Sequence, residues 1–349
     1  MPRTTLAQLP AAPRILALVA EADVLAVVCD GGACFVVPTS APLPVTPRAV
    51  GVLAGPLAGA GGWGDRVYFV AQSGEVVLLE RASGAVTRYN IGACRRWCPA
   101  ARAPVSARIV PAGGMLSGSY RNDSVEIVDE ACGAWLGKIE PETRDCFEVD
   151  RVALSADGET VALTGLDVHY TSVGDWGWGQ QEVLVVAEVS SGRRVLDVVL
   201  GETMRPSEHE PIAVALGVRG CLVGTACLPV PPPGGDERLP HADRAPLDIE
   251  ARFEDVTHLV ALEEGNAALV RAEVQWPGGG KESARARRVA STRLRFLDAE
   301  GEEVARVELP AAITAVTQVG TQVGAALVVG CDDGRLVLVD HAVPLGPLP

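Results

Sequence analysis

Glu80, Asp129, Glu188, Asp298 and Asp340 each close a short run of Val, Leu, Ile or Phe. A degenerate copy, CFVVPTSA, carries Pro38 at the same place. The spacings from Pro38 onward are 42, 49, 59, 110 and 42 residues, and 110 is two units of 55. The runs come in pairs around tight turns, as in residues 65–84, 115–133 and 326–342. Ser73-Gly74, Asn122-Asp123 and Asp333-Gly334 supply residues that accept positive φ in two-residue hairpins. The chain therefore reads as strand, turn, strand, with few long stretches at the 3.6-residue period of a helix.

A period of roughly 40–60 residues in 349 marks a repeat array built from small sheets. Apolar residues make up 48% and charged residues 21%, enough for a large core and against general disorder. A β-sandwich pair is the competing architecture, but sandwiches need no fixed period. The expected fold is all-β: a single β-propeller of seven four-stranded blades over residues 1–349. The blades are expected at 14–46, 48–90, 105–140, 149–200, 211–255, 256–309 and 311–345. The segment TTLAQL, 4–9, should complete the last blade, so that strands from the two termini pair and no sheet edge stays open at the closure.

The ends of these runs resemble the WD40 and related β-propeller families. VEIVDEACG, 125–133, matches the close of a third blade strand, and LSADGETVALTG, 154–165, the corner between the first two strands. Neither a Gly-His nor a Trp-Asp dipeptide occurs, and Leu79, Val128, Leu297 and Val339 fill the Trp place. Apolar packing between blades is thus expected to carry the fold. The resemblance implies a non-catalytic scaffold for protein–protein interaction, with a bacterial signalling or defence assembly as a natural setting.

In such a blade the first-to-second and third-to-fourth turns share one face, and the other connections share the opposite one. The long segments 91–105, 140–149, 167–181, 200–211, 229–248 and 276–291 all map to the second kind. Loops on a rigid scaffold are where binding residues concentrate. Arg95, Arg96, Trp97 and Arg102 fall in the first of them, and Tyr170, Trp176 and Trp178 in the third. Arg285, Arg287 and Arg288 belong to a run, 281–295, that is locally +5 in a chain of net charge −14. Aromatic and Arg side chains are preferred interface anchors, so these ten residues are the expected partner-binding set. The overall acidity argues against nucleic acid as the general partner, although the two basic segments leave a local patch open.

No P-loop, GxSxG elbow, HExxH helix or dinucleotide fingerprint occurs. Cys94-x3-Cys98 with Cys146 and His209 is a poor match to a zinc site, and Glu148 with Asp150 is one near-axis pair where calcium needs 6–8 oxygens. A propeller hydrolase or lactonase with a central metal is the alternative. The expectation is no catalysis, no cofactor and no metal. Nine cysteines, several in apolar runs, fit a reducing compartment and a cytoplasmic protein without a membrane span.

Overall fold

The computed structural model describes residues 3–11, 13–21, 23–39, 44–111, 123–139, 146–171, 177–203, 212–217, 220–223, 226–230, 245–246, 256–262, 267–271, 273–274, 288–289, 293–297, 303–321 and 324–340. After β1 (Arg3–Gln8), the first sheet is β2 (Ile15–Glu21), β3 (Val24–Cys29), β4 (Ala33–Pro38) and β5 (Arg48–Val52). The second is β6 (Leu57–Trp63), β7 (Arg66–Ala71), β8 (Glu75–Glu80) and β9 (Val86–Asn90). The third is β10 (Arg96–Pro99), β11 (Val105–Val110), β12 (Ser124–Asp129) and β13 (Ala134–Ile139). The fourth is β14 (Cys146–Leu154), β15 (Thr160–Thr171), β16 (Gly177–Glu188) and β17 (Arg194–Thr203). Among the described residues the fifth has three strands, β18 (Val214–Gly217), β19 (Gly220–Val223) and β20 (Ala226–Leu228). The short β21 (Ala245–Pro246) adds in parallel to the outer edge of β17.

The sixth sheet is β22 (Val256–Ala261), β23 (Ala267–Arg271), β26 (Arg293–Leu297) and β27 (Glu303–Glu308). Between its second and third strands sits the two-residue pair β24 (Glu273–Val274) and β25 (Arg288–Val289). The last sheet is β28 (Ile313–Thr321), β29 (Gly324–Cys331) and β30 (Arg335–Asp340), completed by β1 from the other end of the chain.

The first strands form a closed ring. β2 packs on β6, β6 on β10, β10 on β14, β14 on β18, β18 on β22, β22 on β28, and β28 back on β2. Each of the seven seams holds an apolar cluster, from Leu25 and Val328 at the closure to Phe296 and Leu327 between the sixth and seventh sheets. The molecule is a seven-bladed β-propeller, with its last blade closed by β1 as expected.

The sequence builds this in a simple way. Second and third strands have blades on both faces, so they read as continuous apolar runs such as RVYFVA and EVVLLE, buried almost throughout. Fourth strands face solvent at the rim: all five residues of β9 are exposed. First strands carry a bulge at the same place in five blades, at Leu16, Ala58, Asp150, Thr257 and Thr314. The extra residue bends the strand where it passes the axis.

Two segments differ from the expected blades. Residues 48–52 are the outer strand of blade 1 and pair with β4, instead of opening blade 2. That role falls to the glycine-rich LAGAGGW, 57–63. Residues 96–99 are the first strand of blade 3, within the segment read as a loop. RWCP looks unlike a strand because it ends in proline, but β10 has a sheet partner on one side only, so its missing N–H costs no ladder bond.

Candidate interaction surface

Strand order assigns each connection to a face. The lower face holds the first-to-second and third-to-fourth turns, such as 64–65, 81–85, 100–104, 130–133, 155–159 and 189–193. The upper face holds the others. On blades 7, 1 and 2 its second-to-third turns are short: 332–334, 30–32 and 72–74. On blades 3 and 6 the same connection spans 111–123 and 272–292. On blade 4 the hairpin itself is long. β15 and β16 have 12 residues each, against six for β7 and β8, and so run about 40 Å where those run about 20 Å. The segment 167–181, expected as a loop, is therefore mostly paired strand, with Tyr170 directly opposite Trp178 in the register. Trp176, Arg285 and Arg287 lie outside the described residues. Arg288 stands on β25, across from Val274.

The segment 91–105 does not act as one unit. Residues 91–95 lie on the upper face, whereas Arg102 lies in the 100–104 turn on the lower face, exposed, with its backbone N–H donating to the Ala156 carbonyl. Trp97 is 4% exposed and faces blade 2, where its ring centroid is 5.8 Å from that of Tyr68. Its Nε1–H donates to Glu130 Oε1 at 3.3 Å, and Ser106 Oγ donates to the same oxygen. The expectation of an exposed aromatic anchor at 97 is corrected: alternation along β10 turns this side chain into a seam. Most of the segment 229–248 lies outside the described residues; its first two residues follow β20, the third described strand of blade 5.

Arg95 ties blade 3 to blade 4. Its guanidinium pairs with the buried Asp123 at 3.0 Å and donates to the Val149 carbonyl. Asp123 also accepts from the Val149 N–H at 3.0 Å. Arg96, one residue on, points the other way from Trp97, toward blade 4, and lies in the field of Asp150 on β14. Burial and the neighbouring Arg95 hold the Arg96 guanidinium below its ordinary value, while Asp150 works against the shift. Burial, then Arg96, pushes Arg151 down to about 10. The basic run near 281–295 is less basic in place than in sequence. Arg293 pairs with Glu308 at 2.9 Å and Arg295 with Glu303, both across β26 and β27.

Cys94 and Cys98 do not converge on one point: Cys94 is buried against blade 2, and the Cys98 thiol meets the Leu154 backbone of blade 4. Among the described residues no group of three or more His, Cys, Asp or Glu is placed to hold a metal ion.

Sequence reasoning missed the rim. Trp135, 61% exposed, and Leu136 sit on β13, the outer strand of blade 3. A fourth strand has one sheet neighbour and no blade outside it, so an apolar residue there is open to solvent; blade order was the available signal.

No protein-family model matches the sequence, and no curated protein is similar to it. Solved structures are similar in fold. A chain of the mitotic checkpoint complex matches with a TM-score of 0.59 at 11% identity, over 97% of this chain and 93% of that one. Sqt1 of Saccharomyces cerevisiae matches at 0.53 and 10%, over 98% and 100%. The computationally designed Ika8 protein matches at 0.54 and 11%, over 97% and 99%. These neighbours are WD40-type β-propellers.

Proposed function

We propose that this chain is a non-catalytic scaffold that binds a protein partner through the upper face of blades 3, 4 and 6. The observation that carries the reading is the paired extension of β15 and β16, which takes Tyr170 and Trp178 beyond a blade of ordinary length. A paired ribbon costs less order on binding than a free loop. Arg95 and Arg96 open blade 3 on the same face, and Trp176, Arg285, Arg287 and Arg288 complete the proposed set. The comparison with a chain of a multi-component complex, the mitotic checkpoint complex, supports an assembly role. A bacterial cytoplasmic signalling or defence assembly is the proposed setting.

The test is capture of partners on the immobilised full chain. Tyr170→Ala with Trp178→Ala should lower capture at least about tenfold, the range of interface hot spots, with Tm unchanged. Arg102→Ala on the lower face should leave capture intact. Greater loss from the lower-face variant would sink the proposal.

A further inference from the structure

Among the described residues blade 5 has three strands, and β21 (Ala245–Pro246) lies between β20 and β22 in the chain, where the fourth would stand. Strand order ends β20 at the lower face and starts β22 at the upper one. A fourth strand of blade 5 therefore runs upward, antiparallel to β20. β17 runs upward from the lower turn 189–193, and β21 is parallel to it. β21 thus has the direction of a fourth strand of blade 5. It is nonetheless paired with blade 4, Val198 with Ala245 and Val199 with Pro246.

The edge that holds it differs from the other outer strands. All of β9 is exposed, whereas β17 has no exposed residue from Arg194 to Gly201. Val195, Val198 and Leu200 are buried in the cluster between blades 4 and 5. β17 also carries two bulges, at Val195 and Leu200. A bulge disrupts the ladder and turns an edge away from pairing. Between the two, Leu196 to Val199 is regular, and β21 pairs inside that window. A two-residue pairing makes few bonds, so β21 is held largely because the chain keeps it nearby.

We propose that the outer edge of β17 between its bulges is a strand-addition site, that β21 fills it in cis, and that a short extended segment of a protein partner takes it in exchange. The released β21 then pairs with β20 as the fourth strand of blade 5. One short pairing replaces another, which keeps the cost of exchange low. Main-chain N–H and C=O groups supply the bonds, so the partner is recognised by its extended backbone, and the bulges limit its length. The site lies on the rim, apart from the upper face proposed above.

The probe is a labelled peptide with the sequence of residues 241–250, HADRAPLDIE, titrated with the full chain and read by fluorescence anisotropy. Ala245→Gly with Pro246→Gly loosens the cis strand by adding backbone freedom. The peptide should bind this variant at least about tenfold more tightly than the wild type, whose own strand competes. Hydrogen exchange should show Leu196–Val199 less protected in the variant and protected again by the peptide. The same peptide N-methylated along its backbone should not bind. Tyr170→Ala with Trp178→Ala should leave peptide binding unchanged, which separates this site from the upper-face surface. Equal affinity in wild type and glycine variant, no binding to the variant, binding that survives N-methylation, or unchanged protection of β17 would each overturn the proposal.

Discussion

At the scale of single residues, the tightest constraint is where backbones meet near the axis. A Cβ at Gly59 would stand 1.9 Å from the Trp97 carbonyl oxygen, and one at Gly61 1.9 Å from Pro99 Cγ. Gly137 on the outer β13 has its nearest atom 3.9 Å away. Gly59→Ala should therefore cost about 1–3 kcal/mol, in the range of overpacked sites, and Gly137→Ala about 0.5 kcal/mol at most, read from urea unfolding. Equal costs at the two positions would contradict the close approach.

A second residue-scale effect is titration. Burial pushes the Cys29 and Cys34 thiols up to about 12 from an ordinary 9. Above pH 9 the unfolded chain releases these protons and the folded chain keeps them. Their stabilisation is thus complete below pH 9 and is lost as pH rises toward 12. Tm should fall across that window in reducing buffer, less steeply in Cys29→Ala with Cys34→Ala than in the wild type. Their burial was legible from apolar runs such as LAVVC. Trp97 was not legible, because one-residue alternation next to an Arg pair gives no sign of which neighbour faces solvent.

Among elements, the third-to-fourth turns explain the repeat marker. Glu80 and Glu188 accept from Ser83 and Ser191 three residues on, and Asp129 accepts from the Ala131 N–H. Gly84, Gly133 and Gly192 follow with φ of 68°, 72° and 68° and donate back to the carbonyl of the same acid. The acid caps a turn, so its recurrence is structural. A second shared contact links the upper turns: Leu53, Ile91 and Leu9 each donate from the backbone to the turn glycine of their own blade, Gly32, Gly74 and Gly334.

Blade 3 adds a bracket of its own, Glu130 holding Trp97 and Ser106. Glu130→Ala should cost about 1–3 kcal/mol in urea unfolding by stranding two donors, and Glu130→Gln, which retains an acceptor, distinctly less. An equal loss in both would show that the carboxylate charge, and not the acceptor, is what blade 3 needs. The turn acids were readable because their bonds span two to four residues; the Glu130 bracket spans 33 and was not.

For the whole molecule, closure is the decisive event. β1 pairs with β30 from Arg3↔Val339 to Gln8↔Arg335, and Leu6, Ala7 and Leu9 are buried in the seam between blades 7 and 1. Removing residues 1–9 exposes one edge of β30 and the apolar faces around it. The loss should be about 3–6 kcal/mol from the two leucines alone, with aggregation through the open edge. A synthetic peptide of residues 1–12 added in trans should restore the melting transition; melting of the truncated chain at the wild-type temperature would show that closure contributes little. At this scale too, among the described residues the long upper-face feature is the extended β15–β16 hairpin of blade 4, where the sequence had suggested six long segments around the face.

What the sequence alone determined is the set of features made by short-range bonds: the period, the paired inner strands, the capped turns and the terminal strand that closes the ring. Each rests on hydrophobic runs and turn chemistry within a few residues. Tertiary structure decided the rest. It turned Trp97 into a seam, sent Arg102 to the opposite face, and neutralised Arg293 and Arg295 across a strand pair. Those outcomes depend on which blade or strand lies alongside, and that is not encoded within reach of the residues they place.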